Sequence, residues 1–137
     1  MGKISEKVKE YLSLPEKTTV LSTSDKEGKN NIGMYGSFML KDDSTLFVMF
    51  GDNRSYANIR ENPYAALLVI APGGTGLQTE GCRVYLKVRS VEDSGSMFDQ
   101  IKDGIRARIG GGADILKHLV AFDILETRPI VDMGQGV

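Results

Sequence analysis

The sequence has no tryptophan, one cysteine and one histidine, and no apolar run approaches the ~20 residues of a membrane helix. Each absence removes a class of function. With Cys82 alone, neither an intrachain disulfide nor a thiolate-rich metal cluster can form, and a reducing cytoplasm is the expected home. His118 is the only histidine, and no His or Cys partner beside the carboxylates marks a metal site, so no metal is expected. Asp42, Asp43, Asp93, Asp99 and Asp103 fall on turns and a helix face, where they read as solvated carboxylates. No G-x-S-x-G element or phosphate-binding P-loop occurs, which leaves hydrolase and nucleotidase readings without support. Charge of one sign is missing too: 17 Lys and Arg against 18 Asp and Glu give a formal net charge of −1. Without a basic field there is nothing to hold a nucleic-acid backbone. The opening MGKISEKVKEYL is charged every few residues and lacks a signal-peptide core, so a soluble, unexported, cytoplasmic protein with no membrane contact is expected.

What is present fits one domain spanning 1–137, long enough for a single core and too short for two. Hydrophobic residues make up 41% of the chain and charged ones 26%, and 16 glycines imply many turns. Ile4, Val8, Tyr11 and Leu12 recur at helical spacing between Ser5, a candidate N-cap, and Pro15, a stop. TTVLSTS (18–24), NNIGMYGSFML (30–40) and TLFVMF (45–50), joined by turn residues, read as a three-stranded meander. YAALLVIA (64–71) reads as a buried fourth strand, apolar on both faces. CRVYLKVRSVE alternates Cys82, Val84, Leu86 and Val88 inward with Arg83, Tyr85, Lys87 and Arg89 outward. Met97, Phe98, Ile101, Ile105 and Ile109 share one face of a helix that Gly110–Gly112 end. HLVAFDILE (118–126) makes a sixth strand, and 127–137 read as a polar tail. Six mostly antiparallel strands with about three helices and no βαβ alternation predict a small antiparallel split β-barrel of Greek-key-like topology. Cys82 belongs to the core, and His118, at a strand start, reads as structural or superficial.

One stretch invites chemistry. In MFGDNRSYANIRENP (49–63) an apolar strand stops at Gly51 and a short helix begins four residues later. With Ser55 as N-cap, its hydroxyl and the free first-turn NH groups would face outward, and the helix dipole adds positive character. Arg54 can give two parallel donors to an anion, and Asn58 lies on the same face of the first turn. These residue types suit a phosphate; on local sequence alone the more ordinary reading is a capped helix with Arg54 in solvent. Gly33, Gly36 and Gly51 suit either the close approach of a flat ligand or bulges in a tightly curved sheet.

The order of these segments, with the run Arg54-Ser55-Tyr56-Ala57-Asn58, then Asn62-Pro63 and YAALLVI, resembles the FMN-binding split-barrel superfamily. These are the pyridoxamine 5′-phosphate oxidase-like proteins, and the similarity is greatest to the small single-domain FMN-binding members. The resemblance implies that Arg54 and Ser55 bind the FMN phosphate with support from Asn58. It places the flavin ring against Met34, Tyr35, Gly36 and Ser37 and against Phe50, Gly51 and Asp52, with further contacts from Gln78 and Thr79. It implies an oxidoreductase using flavin N5 for hydride or electron transfer, with a small-molecule or protein redox partner. It also implies a homodimer with the flavin at the interface, the tail covering the neighbour's site. Authentic pyridoxamine phosphate oxidase activity is not expected, because those enzymes carry a Trp-containing signature and an Arg-His pair near the C-terminus, and this chain has no Trp. The alternatives are a flavin electron carrier or sensor, or a split barrel holding a deazaflavin or haem.

Overall fold

Ser5 caps the first helix as its spacing predicts: its Oγ accepts from the Val8 NH at 3.2 Å, and α1 runs Glu6–Ser13 with Val8 and Leu12 buried. The computed structural model describes residues 4–137. Seven strands follow: β1 (Thr18–Ser24), β2 (Asn30–Met34), β3 (Phe38–Asp42), β4 (Thr45–Phe50), β5 (Tyr64–Ile70), β6 (Gly81–Glu92) and β7 (His118–Pro129). Helix α2 (Arg54–Glu61) joins β4 to β5, and α3 (Ser96–Ile109) with a following 3-10 segment joins β6 to β7. The sheet is antiparallel throughout, in the order β2-β1-β5-β6-β7-β4-β3. Among the described residues no helix is long and apolar enough to cross a membrane.

The expected six strands are therefore seven, and the sheet is not closed. The stretch 30–40, expected as one strand, breaks at Tyr35-Gly36-Ser37. β2 pairs with β1 at one edge of the sheet, whereas β3 pairs with β4 at the other. Only three residues separate these edges in the chain, so Met34 and Phe38 stand at most about 15 Å apart, four Cα steps. The sheet must curl to allow this. The Tyr35 NH bonds the Thr19 carbonyl and the Met49 NH bonds the Ser37 carbonyl, so the bridge is tied to both edges without a ladder between them.

The strand reading holds best where alternation is clean. Cys82, Val84 and Leu86 are fully buried with Leu21, Leu67, Phe50 and Phe122 inside the curl. β4 is buried along its whole length, because Leu46, Val48 and Phe50 face inward while Phe47 and Met49 pack under α3. Phe98, Ile101 and Ile105 form the contact face of that helix, and each such side chain contributes about 1.5–3 kcal/mol on full burial. Ile109, expected on the same face, is exposed. β5 buries Ala65, Leu67 and Val69 but leaves Ala66, Leu68 and Ile70 half-buried on its outer face. The expected polar tail begins later than its composition suggests, since β7 continues to Pro129. Beyond it, Arg83 Nη2 donates to the Ile130 carbonyl at 3.0 Å and Val137 packs on the core.

Candidate functional site

Helix α2 is capped by Asn53, two residues before the expected Ser55: the Asn53 Oδ1 accepts from the Tyr56 NH at 2.9 Å. Asn53 has the extended backbone an N-cap requires, and Arg54 and Ser55 thereby become the first two helical residues. Their NH groups have no acceptor within the helix by position. The shift also changes what Ser55 can do. Its side chain is buried at 4% exposure, and its Oγ accepts from Asn31 Nδ2 at 3.1 Å. That bond leaves the hydroxyl proton available to an acceptor. Asn58, expected to support the phosphate, turns inward, and its Nδ2 donates to Thr23 Oγ1 at 3.1 Å. It locks α2 onto β1 while lining the concavity described next.

A small concavity of about 240 Å³ is lined by Asp25, Lys29, Asn30, Arg54 and Asn58. This lies below the roughly 300 Å³ at which pockets for drug-sized ligands begin, and suits a phosphate group better than a ring system. Lys29, which sequence reasoning did not single out, adds a second cation beside Arg54. Asp25 is the discordant neighbour, but its Oδ1 is turned into its own loop, accepting from the NH groups of Lys29 and Glu27 at 2.9 Å each. Those bonds, the Lys29 amide foremost, hold its carboxyl below the usual range.

β2 leads away from this concavity. Asn30 pairs with Ser24 and Met34 with Val20, so four residue steps carry the chain about 13 Å along the sheet edge. At the far end Met34 and Gly36 are exposed, and Tyr35 and Ser37 are half-buried. The Tyr35 hydroxyl accepts from Asn53 Nδ2 at 2.8 Å, joining this bridge to the cap of α2. Ser37 donates its hydroxyl to the Met49 carbonyl at 2.8 Å. A Cβ on Gly36 would meet nothing within 4 Å, so its face is open.

The other expected ring contacts are not arranged alike. Phe50 is fully buried, its ring tilted against Tyr35, Tyr56 and Phe122, and its carbonyl accepts from the Lys117 NH at 2.8 Å. Its side chain is closed off from a ligand, and its carbonyl already holds one donor. Gly51 is glycine for a reason within the fold, since a Cβ there would lie 2.8 Å from the Ile115 carbonyl oxygen. Gln78 and Thr79 follow β5 beyond Ile70, which pairs with Thr18. The phosphate-sized concavity lies at the opposite end of β1, beside Thr23, about 17 Å along the strand. Gln78 and Thr79 are therefore far from the concavity and lie instead at the end of β1 that pairs with Met34.

Asp52 is at the surface, held by the residue that sequence reasoning set aside. His118 Nε2 lies 2.6 Å from Asp52 Oδ1 and Nδ1 lies 2.6 Å from Asp93 Oδ1, and Lys117 Nζ lies 3.5 Å from Asp52. Ionised carboxylates only accept, so an imidazole donating from both nitrogens is a cation. Burial pulls the His118 pKa down, but the hydrogen bonds and charges of Asp93 and Asp52 outweigh it and the net shift is upward. The Asp52 carboxyl is correspondingly lowered, by His118 foremost. The Tyr56 ring stacks on the imidazole at 3.7 Å between centroids and 1° between planes. Asp93, expected to be solvated, is thus a partner in the cluster. Only the registers of β7, which set His118 opposite Phe50 on β4 and Leu119 opposite Glu92 on β6, could have disclosed this. Cys82 is in the core as expected, where burial pushes its thiol up to about 12.

Solved structures share this architecture. An FMN-binding protein from Syntrophomonas wolfei is 25% identical with a TM-score of 0.80, the match covering 91% of this chain and 84% of that one. The haem storage protein HutZ of Vibrio cholerae matches at 18% identity and TM-score 0.70, over 93% of this chain and 95% of its own. An F420 reductase matches at 18% identity and TM-score 0.67, over 90% and 98% respectively. No curated protein sequence matches the chain. The family model described as pyridoxamine 5′-phosphate oxidase matches residues 4–130, nearly the whole of the open, curled sheet and its helices, and the chain therefore belongs to the pyridoxamine 5′-phosphate oxidase family of FMN-binding split barrels.

Proposed function

We propose that the protein is an FMN-binding flavoprotein, an oxidoreductase acting in the cytoplasm on a small-molecule or protein redox partner. The observation that carries this reading is a phosphate-sized concavity with Arg54 and Lys29 at one end of β2 and an open main-chain face at the other. The separation of about 13 Å suits a phosphate joined to a ring by a ribityl arm. Arg54, Lys29, the Ser55 hydroxyl and the first-turn NH groups of α2 would hold the phosphate. Met34, Tyr35, Gly36 and Ser37 would border the ring, with Asp52 near its rim as a carboxylate kept ionised by His118 and Lys117. The bound flavin would supply hydride or electron transfer at N5, and the protein its position and polarity.

Haem and deazaflavin are the competing cofactors, because structural neighbours include a haem storage protein and an F420 reductase. Haem is disfavoured within one protomer. The sole imidazole is bonded at both nitrogens, and the sole thiol is buried and protonated.

A homodimer belongs to the same proposal. The outer face of β2, β1, β5 and β6 exposes Ile32 and Met34 beside half-buried Val20, Leu68, Ile70 and Tyr85, an apolar surface next to the site. A twofold contact on this face would be isologous. In such a dimer Gln78 and Thr79, at the end of β1 away from the phosphate concavity and on the side that Met34 borders, would add polar contacts at the ring end of a flavin site. Purified protein is expected to be yellow and to release FMN, not FAD, on denaturation. Colourless protein that takes up no added FMN would refute the reading, and a haem absorption band or F420 fluorescence would replace the cofactor.

A further inference from the structure

A second cavity, of about 840 Å³, lies between the end of α1, β3 and α3, away from the Arg54 cluster. This is within the roughly 300–1,000 Å³ of small-molecule sites. Its apolar walls come from Leu12 and Leu14, Phe38, and Met97, Ile101 and Ile105. Three cations line it, Lys9, Lys17 and Arg108, and no carboxylate does. Lys9 is neutralised by Asp43 at 2.6 Å and Glu6 at 3.3 Å. Lys17 and Arg108 make no ion pair among the described residues. Lys17 is half-buried, its Nζ donating to the Leu14 carbonyl at 2.7 Å and lying 5.5 Å from the centre of the Phe38 ring. Those partners orient the ammonium without cancelling its charge. Burial, and then the charge of Arg108, lower the Lys17 pKa, as expected when two cations share one apolar rim without a counterion.

Gly104 adds an independent observation. It sits inside α3, where glycine weakens a helix relative to alanine, yet a Cβ there would meet nothing within 4 Å. Packing within the chain does not demand glycine at this position, and its missing side chain widens the cavity.

We propose that this groove binds an aliphatic carboxylate, its chain against the α1–α3 walls and its carboxylate paired with Lys17 and Arg108. An apolar body satisfies the walls, and an anionic end supplies the counterion they lack. The site does not depend on the flavin reading, because it shares only Gly36 with the expected ring contacts.

Calorimetric titration of the full-length protein, as purified, with dodecanoate tests the proposal, with dodecyltrimethylammonium as the control of opposite charge. Dodecanoate is expected to bind once per chain below its micellar concentration, and the ammonium amphiphile not to bind. Lys17→Gln with Arg108→Gln should weaken dodecanoate more than about tenfold. Gly104→Phe should abolish binding without lowering the melting temperature. Equal binding of both amphiphiles, or unchanged dodecanoate affinity in either variant, would overturn the proposal. So would loss of dimer mass in Gly104→Phe, because the groove would then be closed by a second copy.

Discussion

Removing the Arg54 guanidinium separates phosphate recognition from ring recognition. In the proposed site Arg54→Ala deletes a charge-assisted contact to FMN, whereas riboflavin, lacking the phosphate, never makes it. Such contacts are worth about 1.5–3 kcal/mol. Arg54 is exposed and Lys29 remains in the same concavity, so the lower bound applies. An increase of about tenfold in the FMN dissociation constant is expected, with riboflavin changed less than about twofold. Ser55→Ala is a poorer probe, because it also strips Asn31 Nδ2 of its acceptor inside the fold. Losing that part-buried bond costs about 1 kcal/mol of stability regardless of ligand. Fluorescence quenching titrations with both flavins at low and high salt measure the difference, and salt should narrow it, since exposed charges are screened. An equal loss for FMN and riboflavin, or no loss for FMN, would show that the phosphate lies elsewhere.

The His118 cluster predicts a pH dependence of stability. The folded-state pKa of His118 is raised above its ordinary 6.5, so its contribution is complete below that value and is lost as the pH rises through the folded pKa. Asp52 is shifted the opposite way, so its contribution is present above the ordinary carboxylate value and is lost in acid. The melting temperature of the native protein should therefore exceed that of His118→Gln by more at about pH 5.5 than at about pH 9. A gap independent of pH would mean that the imidazole is not charged in the fold. For the dimer, sedimentation equilibrium of flavin-loaded protein at micromolar concentration should give twice the chain mass, and Met34→Asp should give a monomer. A native monomer would refute the shared site.

Much of this protein was legible as a string because much of it is local. The Ser5 cap, the alternation of β6 and the turn chemistry before β2 act within a few residues of themselves, and each element follows them. The position of the candidate phosphate site was legible for the same reason: Arg54 and Ser55 are neighbours at a helix start whatever the rest of the chain does. What the string could not decide was how residues distant in sequence share space. Residues 30–40 are apolar enough for one strand, and the break at Tyr35-Gly36-Ser37 exists only because β1 and β4 lie at opposite edges of a curled sheet. Asn53 displaced Ser55 as cap because burying Ser55 against Asn31 on β2 requires the helix to begin earlier. His118 looked solitary because Asp93 is 25 residues before it and Asp52 is 66 before; pairing β4 with β7 and ending β6 beside them brings the three together. Gly51 carries no local sign of the Ile115 carbonyl that excludes its Cβ. Capping and periodicity are short-range effects written in consecutive residues, whereas ion pairs, close approaches and cavities arise from chain closure, which only the tertiary structure decides.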